Sequence, residues 1–279
     1  MKLLISADMP GLSGVVDWEQ ITLGNDEWRR GRKLLAGDVN AAINGAFEAG
    51  IEAVTVSDAH AAARNLEIEA LDPRAHLHSG SPSPFGMLQG IDDHPSFDGL
   101  ALIGYHALAG AKKGVLCQTL SDKIVEDVWL NESSVGEIGL SAAVAGHYGT
   151  PVIAVSGDQT ACLEAQNLLG PEVEVAVVKL GTGRYAAECL PLPEAREKIC
   201  EALARGVSKL KAGAGAKPQR VPGPVQLAVE FRFPHQTDAA FLIPGARRLS
   251  GTRLEFVGED MVVVMRALRA MIALAGENS

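Results

Sequence analysis

Residues 2–14 read KLLISADMPGLSG. Six β-favouring or small residues run up to Asp8, and a Pro10–Gly11 pair then breaks the run. A strand that ends in an aspartate and turns at once into glycine and proline is the opening unit of an open α/β sheet, where ligands gather beyond the carboxyl ends of strands. Strands are expected at 2–7, 52–57, 99–104, 151–156 and 173–180. Helical spacing fills the gaps between them. One helix is expected from about 28 to 49, with Leu34, Leu35, Val39, Ile43 and Phe47 on one face and Gly50 after its end. Another is expected from about 136 to 147, and a third after Asp158, a residue suited to cap it.

This alternation predicts a three-layer α/β/α core with a mostly parallel sheet. It is expected to occupy residues 1–190. A break near Pro191 opens a smaller α+β region, 191–279. That region holds a helix from 194 to 210, a Gly/Pro/Ala-rich linker at 212–224, strands at 225–231 and 253–257, and a closing helix from 260 to 275. The length, 279 residues, fits about two such units.

The chain carries 25 basic and 34 acidic side chains, a net charge of −9, which argues against nucleic-acid and anionic-membrane partners. No apolar run spans a bilayer and the N-terminus lacks a signal pattern, so a cytoplasmic protein is expected. The four cysteines form no CxxC pair. Most are expected to be buried thiols, with Cys117 the exception.

The residues that follow the strands carry the chemistry. Asp8 follows the first, Asp58 and His60 the second, His106 the third and Asp158 the fourth. Carboxylates and imidazoles at adjacent strand ends are the ligand set of zinc, which polarises carbonyls and acidifies bound water. Each also has a plainer reading. An Asp after a strand caps a helix or closes a turn, and a lone His is more often structural. His76, His78, His94, His147 and His235 are read as surface or structural. HExxH, GxSxG and P-loop motifs are absent, and GLSG (11–14) and GTG (181–183) read as turns.

A set of blocks then points to one family. They are KLLISADMPGLSG, Arg30-Gly31-Arg32, Val39-Asn40-Ala41, SDAH (57–60), SGSPSPFGMLQGID (79–92), GYHA (104–107), VGEIGLSA (135–142), PVIAVSGD (151–158), VKLGTGRYAAECL (178–190) and Pro244-Gly245. With them the chain resembles, almost end to end, the zinc-dependent D-aminopeptidases of bacterial dipeptide-transport operons, which assemble into self-compartmentalising decamers. The resemblance implies a two-zinc site in which Asp8 bridges the metals, His60 ligates the first, and His106 and Glu137 ligate the second. Glu137 would otherwise read as an acid in a helix's first turn.

Two positions depart from the family. Its further ligand to the first zinc is a Glu where this chain has Pro10, which has no ligating side chain. Its proton-transferring His in a GVxxH segment is Gln118 here, in GVLCQ (114–118). Glutamine hydrogen-bonds but does not shuttle protons near neutral pH. The second zinc keeps three protein ligands, the composition of a catalytic centre. One or two zincs per chain are therefore expected. Cys117 beside Gln118 is either a soft ligand or nucleophile, or points away.

Two readings follow. One is a metallo-aminopeptidase that removes N-terminal residues, D-residues among them, from short peptides or amides, as a homo-oligomer that the resemblance makes a decamer. The other is a catalytically impaired relative that kept the fold and binds peptides or small molecules.

Overall fold

The computed structural model describes residues 1–81, 85–92 and 96–277. His94 and part of the 79–92 block lie outside the described residues. In chain order the elements are β1 (Lys2–Ala7), α1 (Asp26–Glu48), β2 (Ala53–Asp58), β3 (Ala75–His78), β4 (Gly99–Ile103), β5 (Val125–Leu130), β6 (Ser133–Ser134), α2 (Glu137–His147), β7 (Val152–Asp158) and α3 (Gln159–Leu169). They continue with β8 (Glu174–Gly183), β9 (Ala186–Cys189), α4 (Leu192–Lys211), β10 (Val225–Phe231), α5 (Pro234–Ala240), β11 (Arg247–Arg248), β12 (Arg253–Gly258) and α6 (Met261–Gly276).

The larger sheet runs β3-β2-β1-β4-β7-β8-β9. All its pairings are parallel except β8–β9 at the edge. β1 is buried nearly throughout, as a strand covered on both faces must be. Its side chains alternate between two cores. Leu3, Ile5 and Ala7 pack with Leu35, Val39 and Ile43 of α1 and Ile199 and Leu203 of α4. Leu4 faces the other core, with Ile138 of α2 and Ala161 and Ala165 of α3. Local chemistry sets the helix ends. Asn25 accepts the Trp28 N–H at 2.7 Å to start α1, and Gly50 adopts φ +80° just past its end.

The smaller sheet is antiparallel, in the order β11-β12-β10-β5-β6. It draws β5 and β6 from the middle of the chain and the rest from after residue 224. α6 packs on β10 and β12 and against α2, which joins the second sheet to the first. The stretch 212–224 runs between α4 and β10. Among the described residues, no helix is long and apolar enough to cross a membrane.

Two glycines bring the site loops together. Gly11 N–H donates to the Gly104 carbonyl at 2.8 Å, and a Cβ on Gly11 would lie 1.8 Å from the Tyr105 carbonyl oxygen. Gly104 has φ +72°, and its Cβ would lie 2.2 Å from the Asp8 carbonyl oxygen. Only glycine lets the loops after β1 and β4 pass this closely.

Candidate metal centre

The strand order puts β1 between β2 and β4. Three consecutive strand ends therefore converge. Asp8 follows β1 and donates its N–H to the Ile103 carbonyl of β4 at 2.8 Å. His106 lies three residues beyond β4, on a segment tied to β7 by Tyr105 N–H to the Ser156 carbonyl at 3.0 Å. Glu137 is the first residue of α2.

Asp8, His106 and Glu137 are all buried, and each offers a ligand atom within 4.8 Å of the others. His106 Nε2 is 3.3 Å from Asp8 Oδ2 and 3.3 Å from Glu137 Oε1. Neither Asp8 Oδ2 nor His106 Nε2 makes a hydrogen bond with good geometry. Two buried polar atoms left without partners are costly unless another species lies between them. The neighbouring groups leave the right atoms free. His106 Nδ1–H donates to the Ala107 carbonyl at 3.1 Å, which turns the Nε2 lone pair toward the carboxylates. Glu137 Oε1 accepts the Leu120 N–H at 2.7 Å. One imidazole and two carboxylates suit zinc.

The charges agree with a cation site. Burial works against ionising Asp8, but the His106 and His60 rings beside it prevail and hold its carboxyl well below the usual range. Burial also works against protonating His106, yet the Glu137 and Asp8 carboxylates raise its pKa well above the ordinary value. In the metal-free protein, protons stand where a cation would otherwise balance the carboxylates.

His60 stands outside this group of three. Its Nδ1 faces Asp8 Oδ1 at 2.9 Å and its Nε2–H donates to the Ile21 carbonyl at 2.9 Å, so both ring nitrogens are engaged. Burial opposes its protonation, and Asp8 reverses the balance and raises its pKa. Pro10 contributes its carbonyl. With those of Leu12 and Val15, it accepts hydrogen bonds from the fully buried Lys179 ammonium at 2.7, 3.0 and 2.6 Å. Asp58 accepts the Leu66 N–H and the Asn65 backbone and side-chain N–H groups, so it anchors a turn. Asp158 caps α3 through Thr160 and Ala161 and accepts the Val115 N–H, as its plainer reading holds. Cys117 turns its thiol toward the Ala111 carbonyl.

The cluster opens into a cavity of about 740 Å³ lined by Asp8, His60, Gln118 and Glu137, with Trp18 and Leu23 among its apolar wall. The Gln118 backbone N–H donates to the Ala107 carbonyl at 3.3 Å, while its side-chain amide has no hydrogen bond among the described residues.

Glu164 lies behind the cluster and was not singled out by any motif. Its Oε2 accepts the Leu108 N–H at 2.8 Å, and burial pushes its pKa up to about 7. Unfolded glutamate titrates near 4.5. Between these values the folded state keeps a proton that the unfolded state has lost, so stability falls as pH rises across the window. Glu164→Gln is expected to stabilise the metal-free protein by about 1–3 kcal/mol at pH 8 and to give no gain at pH 4. Urea unfolding at both pH values checks this, and a variant less stable at pH 8 contradicts it.

Comparison with known proteins places these features in a family. A sequence profile of the D-aminopeptidase family matches residues 1–270. The D-aminopeptidase of Bacillus subtilis (strain 168) is 36% identical over 280 residues, covering 100% of this chain and 99% of the relative. The solved structure of the Zn-dependent D-aminopeptidase DppA from Bacillus subtilis, described as a self-compartmentalizing protease, superposes with a TM-score of 0.94 at 36% identity. That match covers 100% of this chain and 99% of the solved one. With matching sequence, matching fold and a buried zinc-type ligand set at the strand ends, the chain belongs to the D-aminopeptidase family.

Proposed function

We propose that this chain is a zinc aminopeptidase that removes N-terminal D-residues from short peptides or amides and holds one zinc per chain, at Asp8, His106 and Glu137. The observation that carries this reading is the convergence of buried Asp8 Oδ2 and His106 Nε2, neither in a hydrogen bond, with Glu137 beside a cavity of about 740 Å³. Bound there, zinc supplies a Lewis acid and an acidified water.

The chain's own residues do the rest. Asp8, His106 and Glu137 fix the centre, and the Ala107 carbonyl and Leu120 N–H orient two of them. Gln118 offers a free amide to hydrogen-bond the scissile carbonyl, which positions it without moving a proton. His60 holds Asp8 in place and becomes a ligand only where a second metal enters. Pro10 disfavours that second metal, because its side chain cannot ligate and its carbonyl is taken by Lys179. We further infer that the chain works as a homo-oligomer, since DppA is described as self-compartmentalizing.

Elemental analysis of the zinc-equilibrated protein is expected to find one zinc per chain. A panel of D- and L-aminoacyl peptides and amides is expected to show hydrolysis with preference for D. Pro10→Glu is expected to raise the stoichiometry to two. The double substitution Pro10→Glu, Gln118→His is expected to raise kcat by about 10²-fold, the lower range of general acid–base assistance. A zinc-loaded protein inactive on the whole panel sinks the enzyme reading and leaves a peptide-binding relative. Two zincs in the unaltered chain sink the mononuclear part alone.

A further inference from the structure

The metal cluster occupies one part of the cavity, and α6 supplies another. Arg269 of α6 lines the same cavity as Asp8 and Glu137. Its guanidinium lies over Gly86, where a Cβ would sit 2.4 Å from Nη1. Gly86 has φ +58°, so glycine both makes this turn and leaves room for the guanidinium. The turn is fixed to the metal frame. Ser6 Oγ–H, two residues before Asp8, donates to the Met87 carbonyl at 2.7 Å.

Arg269 is half-buried, and no carboxylate among the described residues pairs with it. Three arginines near the second sheet are paired, Arg232 with Glu126, Arg247 with Glu255 and Arg248 with Asp238, and Arg266 of α6 lies over the Phe85 ring. The acids of the cavity are already engaged. Asp8 and Glu137 face the metal position, and Asp122 is held by Arg184. Burial lowers the Arg269 pKa and no carboxylate offsets it, yet an arginine remains charged near neutral pH. A desolvated cation with no counter-ion suits a site whose ligand brings the anion.

We propose that Arg269 anchors the C-terminal carboxylate of a short peptide, so that a free C-terminal acid is preferred to the corresponding amide. This rests on the aminopeptidase reading above. An aminopeptidase substrate places its amine and first carbonyl at the metal, and the remaining chain runs away from it. The cavity volume of about 740 Å³ equals a sphere roughly 11 Å across, the reach of about three extended residues. The carboxylate of such a peptide stays within the cavity that the guanidinium lines, and the planar fork suits it with two parallel hydrogen bonds.

The test uses D-alanyl di- and tripeptides, each as free acid and as C-terminal amide, with the zinc-loaded full chain. The free acids are expected to exceed the amides in kcat/KM by about 10- to 100-fold, the scale of a charge-assisted pair. Arg269→Met is expected to bring that ratio close to one by raising KM for the acids, and Arg269→Lys to keep part of it. Calorimetric binding of a non-hydrolysable reduced-amide isostere, as acid and as amide, reads the same preference without turnover. Equal treatment of acid and amide by the unaltered protein in both assays overturns the proposal. So does an Arg269→Met protein that weakens acids and amides alike. Acid-selective binding lost in Arg269→Met, in a protein that hydrolyses nothing, keeps the anchor and removes the aminopeptidase reading. No hydrolysis and no selective binding removes both.

Discussion

Glu137→Gln is expected to strip the tightly held zinc and lower kcat/KM by on the order of 10³-fold or more, because the acidified water goes with the metal. The substitution is close to isosteric, and the amide oxygen still accepts the Leu120 N–H. What it removes is charge on a buried atom 3.3 Å from His106 Nε2. His106→Ala is expected to match it in activity while also opening a small cavity. In the absence of metal, a protonated His106 balances the Asp8 and Glu137 carboxylates, and Glu137→Gln removes part of that balance. Chelated Glu137→Gln protein is therefore expected to unfold at a lower denaturant concentration than the chelated parent. The parent should gain about 4 kcal/mol from zinc at a thousandfold excess over Kd, and the variant should gain none of it. Thermal unfolding with and without zinc, beside elemental analysis, reads both halves. Zinc retained at full stoichiometry by either variant removes these residues from the ligand set.

The strand ends were legible from the chain because local rules write them there. β1 matches its expected bounds at Lys2–Ala7, and the neighbouring strands differ from theirs by a few residues at their ends. Asp8 and His106 follow as residues beyond carboxyl ends. Strand order is a different matter. That β1 lies between β2 and β4, and so brings Asp8 to both His60 and His106, depends on long-range pairing that no local pattern records. Asp158 shows the reverse risk. It has the same sequence setting as Asp8, yet its oxygens go to the first turn of α3 and to Val115. Glu137 had no signal of its own beyond an acid in a first turn. Only the family blocks, and then the fold, single it out. β5 escaped notice because VEDVWL mixes acids into a half-buried strand whose partner, β10, lies almost a hundred residues later. Arg269 was likewise silent, since an arginine on a helix near the chain's end declares nothing until the cavity it enters is known.

Lys179→Met carries the largest expected effect on stability. Lys179 sits in β8 with no exposure, and its ammonium donates to the carbonyls of Pro10, Leu12 and Val15. Burial pushes its pKa down to about 8, and the three carbonyls between them take all three protons of the charged form. Methionine fills the stem's space but donates nothing, so three carbonyls lose a partner away from water. At about 1 kcal/mol or more for each acceptor left unsatisfied, the loss reaches at least about 3 kcal/mol. The effect should reach the metal, because this loop begins two residues after Asp8 and its Gly11 is laced to Gly104. Support of this kind behind a ligand typically changes metal affinity by about 10- to 100-fold. Lys179→Met is thus expected to lower the denaturation midpoint and weaken zinc together. Pro10→Glu keeps the backbone carbonyl that Lys179 holds, so it should alter zinc stoichiometry without that loss of stability. The two substitutions separate the loop's framework from its ligand chemistry. If Lys179→Met unfolds more easily but binds zinc as tightly as the parent, the sheet alone positions Asp8. The buried ammonium then serves only to close the loop that follows.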